Sequence, residues 1–246
     1  GYSVGPDNGP PVLMLHGVTS RRDTFLRVVE LLTPNFRVIT MDQRGHGYSG
    51  HTPGQYARDD HARDIKYVVE NVCKDIPVVW GHSMGGGNAV ALGGKEPQLF
   101  RAMVLEDPGI ITGKRPKQFS ESPTLKQFRT FLELLDAGLS VEEMAPKLQE
   151  LSPNQPEYFA LWKAECLRQM DAEILRNVVD GKSRGGGDPA ESFARITCPV
   201  LIAQADPDAG GILPDDYLES VVPKRENYTV KKIAGAGHNI NRVFPW

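Results

Sequence analysis

VVWGHSMGGGNAV, residues 78–90, changes character at a single serine, Ser83. The β-branched and aromatic residues before it have the composition of a buried strand. The small residues after it suit a helix packed close to a sheet. A serine at such a junction exposes its Oγ only where the backbone bends so sharply that a Cβ at 81 or 85 would clash, which accounts for Gly81 and Gly85. Gly86 and Gly87 let the helix approach the sheet. The unpaired N–H groups of the helix's first turn face any negative charge that develops beside Ser83. The competing reading is a Gly-rich turn whose serine only caps the helix, and five residues do not separate the two.

Outward from this junction, strands and helices alternate. PVLMLHG (11–17) is a short apolar run ending in His-Gly, and 23–33 has helical spacing after Asp23 as its expected cap. FRVITMD (36–42) is the next strand, followed by the polar loop RGHGYSGHTPG (44–54). ARDDHARDIKYVVENV (57–72) places Ala62, Ile65, Val68, Val69 and Val72 on one helical face. RAMVLEDPG (101–109), CPVLIAQADPD (198–208) and YTVKKIAGAGH (228–238) complete the strand-then-loop units. The alternation implies βαβ units and an α/β fold with a mostly parallel, doubly wound sheet covered on both faces.

One segment breaks the rhythm. From 111 to 190 the patterns are helical, as in TLKQFRTFLELLDAG, VEEMAPKLQEL and the single long run 156–181, followed by the flexible SRGGGDPAE. A helical insert between two strands is expected to form a cap, or lid, over the sheet's carboxyl edge, with 1–110 and 191–246 as the core. Phe131, Leu134, Leu135, Met144, Phe159, Trp162 and Met170 are candidates to line an apolar pocket beneath it.

The 246 residues, 40% of them hydrophobic, suffice for one large core. A net charge of −3 gives no electrostatic reason to expect a nucleic-acid partner or a polybasic membrane contact. Cys73, Cys166 and Cys198 are odd in number and widely spaced, which indicates neither a disulfide framework nor a zinc site and fits a reducing, cytoplasmic setting. No apolar run has the length of a membrane span, and no signal-peptide pattern opens the chain. Oligomeric state is not legible.

HG at 16–17, DQRGHGYS at 42–49, GHSMGG at 81–86, the helical insert and GAGH at 235–238 together resemble the α/β-hydrolase family, in that family's order and over nearly the whole chain. The family's first strand or two are short or absent here, and the chain stops at Trp246 where the family adds a helix; both are expected to be trimmed ends.

The resemblance implies a serine nucleophile, Ser83, with the late, Gly-flanked His238 as its base. Of the six histidines, His46 belongs to the RGHG loop, His82 turns into the sheet, and His51 and His61 sit in surface-like sequence. For the acid, the ADPxxGGI run resembles an esterase-like branch that points to Asp206, ahead of Asp208. Asp107 is the reserve, where haloalkane-dehalogenase-like relatives keep theirs. Backbone N–H groups of Val18 and Met84 are the expected oxyanion hole. No metal or organic cofactor is called for, and 42–49 lacks the lysine and serine of a phosphate loop. The implied activity is hydrolysis of a small carboxylic ester or lactone through an acyl-enzyme. The alternatives are a triad-retaining receptor, a cofactor-free perhydrolase and a carbon–carbon bond hydrolase.

Overall fold

The computed structural model describes residues 1–111, 122–183 and 185–243. Its centre is a seven-stranded sheet in the order β1-β3-β2-β4-β5-β6-β7, formed by β1 (Tyr2–Val4), β2 (Pro11–Leu15), β3 (Arg37–Met41), β4 (Val78–His82), β5 (Ala102–Glu106), β6 (Val200–Ala205) and β7 (Tyr228–Ile233). Only β1 is antiparallel, pairing Tyr2 with Met41, so the short first strand is present at the sheet edge. The six parallel strands are the doubly wound α/β arrangement the sequence implies.

β2 shows why its five residues are uniformly apolar. All are buried, because alternate side chains enter different layers: Leu13 and Leu15 join Ile39 and Val79, while Val12 and Met14 join Phe25 and Val28. From β2 the chain runs to β3 on one side and then returns to β4 on the other. A crevice therefore opens between the carboxyl ends of β2 and β4, the place where an open α/β sheet binds ligands. His16-Gly17-Val18 leaves one wall of it and Ser83 the other.

Residues 23–33 divide into a 3₁₀ turn, Arg22–Phe25, and helix α1, Leu26–Leu32. Asp23 caps neither. Its carboxylate accepts from Arg21 Nε and Trp162 Nε1, each at 2.8 Å, so tertiary partners outcompete the local cap. Helix α2 (Arg58–Asn71) buries Ala62, Ile65, Val68 and Val69 as its spacing requires, and it buries His61 with them. Helix α3 (Met84–Lys95) follows the serine.

Between β5 and β6 the described residues form α4 (Pro123–Asp136), α5 (Val141–Leu151), α6 (Glu157–Arg168), α7 (Ala172–Val179) and α8 (Pro189–Arg195). Residues 112–121 and 184 of the expected 111–190 insert lie outside the described residues. The run 156–181 is two helices, because the Asp171 carboxylate accepts from Glu173 N–H and from Tyr56 O–H (2.6 Å), starting a new helix where one was expected to continue. Helix α8 packs on α3, so a core boundary at 190/191 falls inside a helix already seated on the sheet's own layer. Helices α9 (Asp215–Val221) and α10 (Ile240–Val243) follow β6 and β7. Among the described residues no helix is long and apolar enough to cross a membrane.

The glycines flanking Ser83 are fixed by space. A Cβ on Gly81 would stand 2.6 Å from Gly86 Cα, and one on Gly85 would run into the Leu15 carbonyl. Gly85→Ala should therefore lower unfolding free energy by about 1–3 kcal/mol. Gly50→Ala, whose Cβ meets nothing within 4 Å, should stay within about 0.5 kcal/mol. Urea titration of both variants checks the contrast; equal midpoints would contradict it.

Candidate active site

Ser83 takes φ 52° and ψ −116°, a conformation that a serine holds only under constraint. The constraint is visible in its backbone bonds. Its N–H donates to Glu106 O (3.0 Å), and its carbonyl accepts from Gly87 (3.0 Å) and Gly109 (2.7 Å). With both backbone groups occupied, the side chain turns out of the bend toward His238.

His238 Nε2 lies 2.9 Å from Ser83 Oγ, and its Nδ1 lies 2.7 Å from Asp107 Oδ2. A carboxylate only accepts, so the proton sits on Nδ1 and leaves the Nε2 lone pair facing the serine hydroxyl. Asp107 Oδ2 also accepts from Ile212 N–H (2.9 Å), and the residue is fully buried. Parallel pairing sets His82 opposite Glu106, so the next residues on the two strands, Ser83 and Asp107, leave the same sheet edge side by side. A positive φ of 37° at Asp107 turns that strand end as well.

Asp206, the acid expected from the sequence, does not reach His238. Its Oδ1 accepts from Asp208 N–H (3.1 Å) and its Oδ2 from Gly235 N–H (2.9 Å), and these backbone donors hold its carboxyl below the ordinary range. Asp206 thus ties the loop after β6 to the loop that carries His238. Asp208 is exposed, contributing only its N–H to Asp206. The reserve residue Asp107 occupies the position because the β4–β5 neighbourhood delivers it there.

Val18 and Met84, the two expected oxyanion donors, both line the cavity beside Ser83, and neither backbone N–H has a hydrogen-bond acceptor among the described residues. His16 shapes the Val18 loop. Its Nε2 accepts from Gln43 N–H (3.0 Å), its Nδ1 donates to Gly17 O (2.8 Å), and burial holds it neutral, down to about 4. His82 is buried as expected, and its Nε2 donates to the carbonyl of His238 (3.0 Å). Burial keeps it well below the ordinary value. It therefore braces the backbone of His238 as a neutral ring.

Two cavities meet at this relay, with Val18, Thr124, Phe128 and His238 in the walls of both. The first, about 110 Å³, contains Ser83, Met84, His61 and Arg58, with Ile174 and Asn177 from α7. The second, about 140 Å³, contains Phe131, Phe159, Lys163 and Arg242. Of the seven apolar candidates, Phe131 and Phe159 are in these walls; Met144 and Met170 are buried in helix packing, and Trp162 is bonded to Asp23. His61, in surface-like sequence, is instead buried, because it shares the apolar face of α2, a signal the helical register carries. Lys163, a residue the sequence reading does not single out, carries the same signal: it falls among Ala160, Ala164 and Leu167 on the buried face of α6. Arg58 and Arg242 carry no such signal. Among the described residues no group of three or more His, Cys, Asp or Glu is placed to hold a metal ion.

The sheet order, the bend at Ser83 and the relay behind it define the class, and the comparisons agree. The chain belongs to the α/β-hydrolase family, whose model (alpha/beta hydrolase fold) matches residues 10–244. It is 35% identical to a 2-(acetamidomethylene)succinate hydrolase of Mesorhizobium japonicum, over 97% of this chain and 84% of that protein. It is 28% identical to a monoacylglycerol lipase of Mycolicibacterium smegmatis, over 96% and 84% respectively. Among solved structures, an N-formylmaleamic acid deformylase from Pseudomonas putida superposes with a TM-score of 0.77 at 25% identity, covering 97% of this chain and 90% of that one.

Glu106, beside Asp107, yields a pH prediction. Burial pushes its carboxyl up to about 7, against the help of Asn241 N–H and Trp80 Nε1. With its folded value raised from 4.5, its contribution to stability is intact below about 4.5 and is lost as pH rises through 7. Glu106→Gln should flatten this part of the profile, reducing the stability lost between pH 5 and pH 8 by up to about 3 kcal/mol. Urea unfolding at the two pH values reads the change; an unaltered slope would contradict the assignment.

Proposed function

We propose that this protein is a serine hydrolase that cleaves a carbonyl substrate, an ester or a related acyl compound, through an acyl-enzyme. The observation that carries the reading is the unbroken relay from Asp107 through His238 to Ser83 Oγ, at a backbone bend held under constraint. Ser83 Oγ attacks the carbonyl carbon while its proton passes to His238 Nε2. Asp107 keeps the ring in the required tautomer and stabilises the imidazolium. The N–H groups of Val18 and Met84 receive the oxyanion, each contributing about 3–4 kcal/mol if they behave as such donors do in other acyl-transfer enzymes. The imidazolium then gives its proton to the leaving group. Water, deprotonated by the same nitrogen, attacks the acyl carbon and releases the acid and the free serine.

The relatives support hydrolysis at the level of the family, while the names they carry span a succinate hydrolase, a lipase and a deformylase. The bond cleaved is accordingly the part of the proposal that needs experiment. In this reading the helices between β5 and β6 act as a lid, because α4, α6 and α7 supply cavity walls facing His238. A receptor that keeps the triad would stall after one acylation; an enzyme would turn over.

Steady-state hydrolysis of 4-nitrophenyl acetate tests the reading. Ser83→Ala should lower kcat by at least about four orders of magnitude. Asp107→Asn should lose about four orders through the wrong imidazole tautomer. Asp206→Asn should lose less than about tenfold, since its bonds are to its own loops. A wild-type rate for Asp107→Asn, or a single stoichiometric burst from the wild type, would overturn the proposal.

A further inference from the structure

Two cations share the second cavity, and among the described residues no acidic side chain lines it. Lys163 is buried, with Nζ donating to Thr19 O (2.7 Å) and Thr19 Oγ1 (3.3 Å) and standing 5.7 and 5.2 Å from the Phe131 and Trp162 rings. Arg242 donates from Nε and Nη2 to Thr24 Oγ1 (3.0 and 2.7 Å) and from Nη2 to Ser20 Oγ (3.1 Å). Its Nη1 has no acceptor among the described residues. Among the described residues, every hydrogen-bond acceptor of the two cations is neutral. The acids that act on Arg242 through space are engaged elsewhere: Asp23 by Arg21 and Trp162 Nε1, and Glu106 by Asn241 N–H and Trp80 Nε1.

Lys163 is buried and Arg242 half-buried, and two like charges brought this close either meet an anion or give up a proton. Burial and then the neighbouring charge of Arg242 push the Lys163 ammonium down to about 7, a position that an arriving anion would reverse. The cavity reaches the reacting centre, because His238 and Val18 belong to its wall. Its flat aromatic sides, Phe131 and Phe159, and its volume of about 140 Å³ suit a small planar anion. Arg242 keeps its Nη1 protons and Lys163 its charge for a ligand, a pair of cationic donors that suits a carboxylate.

We propose that Lys163 and Arg242 form a carboxylate subsite, so that the substrate is an anionic acyl compound whose carboxylate lies a short arm from the carbonyl attacked by Ser83. This inference rests on the hydrolase reading for its mechanism, but the binding site stands on the cavity alone.

A matched pair of esters tests it: mono-4-nitrophenyl succinate, and the neutral 4-nitrophenyl methyl succinate, each corrected for spontaneous hydrolysis. The wild type should prefer the charged ester by about 10- to 100-fold in kcat/KM. In Arg242→Gln and in Lys163→Met that ratio should fall to near one. Independently, Ser83→Ala should bind succinate saturably in a calorimeter, with the binding lost when Arg242→Gln is added. Should Lys163→Met fail to fold, Arg242→Gln carries the same test. Equal turnover of the two esters, or binding of inorganic phosphate in preference to succinate, would overturn the subsite while leaving the hydrolase reading intact. Absence of ester turnover with succinate still bound through Arg242 would do the reverse.

Discussion

The bend at Ser83 is the constraint on which the remaining geometry depends. A serine at positive φ costs about 1–3 kcal/mol and persists only when its surroundings over-determine it. Here they do: the backbone N–H is tied to β5, the carbonyl is shared by Gly87 and Gly109, and glycines at 81 and 85 allow β4, α3 and β2 to close to backbone contact. The strain has a structural return. It lifts Oγ above the sheet edge, where a histidine from a loop far along the chain stands 2.9 Å away. The close packing of α3 on the sheet keeps Ser83 and Met84 in the wall of one cavity.

Behind the reacting groups lies a layer of buried, neutral polar side chains whose purpose is geometric. His16 locks the Val18 loop through Gln43, and His82 holds the carbonyl of His238. In each case burial disfavours the charged ring, so a single tautomer with fixed donor and acceptor ends survives at neutral pH. Asp206 contributes in the same way from the surface, its carboxylate fastening two loops through their N–H groups. A carboxylate that positions a loop and one that positions a ring look alike in sequence. They differ in which donors the fold brings within 3 Å.

In the proposed function the chain divides its tasks between the sheet and the helices laid across it. The sheet and its flanking helices supply the relay and the expected oxyanion donors, features consistent with membership of a family whose members carry diverse names. The helices between β5 and β6 supply most of the remaining wall, including Lys163 on α6. In the proposed function the reacting groups sit on strand ends and loops of the sheet, and selectivity comes from the helices laid across them.

By itself, the sequence determined what depends on local pattern. Strand and helix periods, the Gly81–Ser83–Gly85 bend and the late Gly-flanked His238 were legible because each is set by short-range sterics or by hydrophobic spacing. The long run 156–181 was legible as helical, but its break at Asp171 was not, because the partner that holds that carboxylate, Tyr56, is remote in sequence. The buried face of α2 is legible from its spacing, and His61 lies in register with it. Tertiary structure alone decided which carboxylate meets His238. Asp107 and Asp206 both follow apolar strands into Gly-containing loops, so local pattern ranks them equally. Only the strand order, which sets β5 directly beside β4 and leaves Asp206 facing Gly235, turns one carboxylate to the histidine and the other to backbone. The same holds for Lys163 and Arg242, whose meeting in one cavity joins residues from α6 and from the segment after β7. Side chains far apart in the chain acquire a common environment through packing, and the field they create together is a property of the fold.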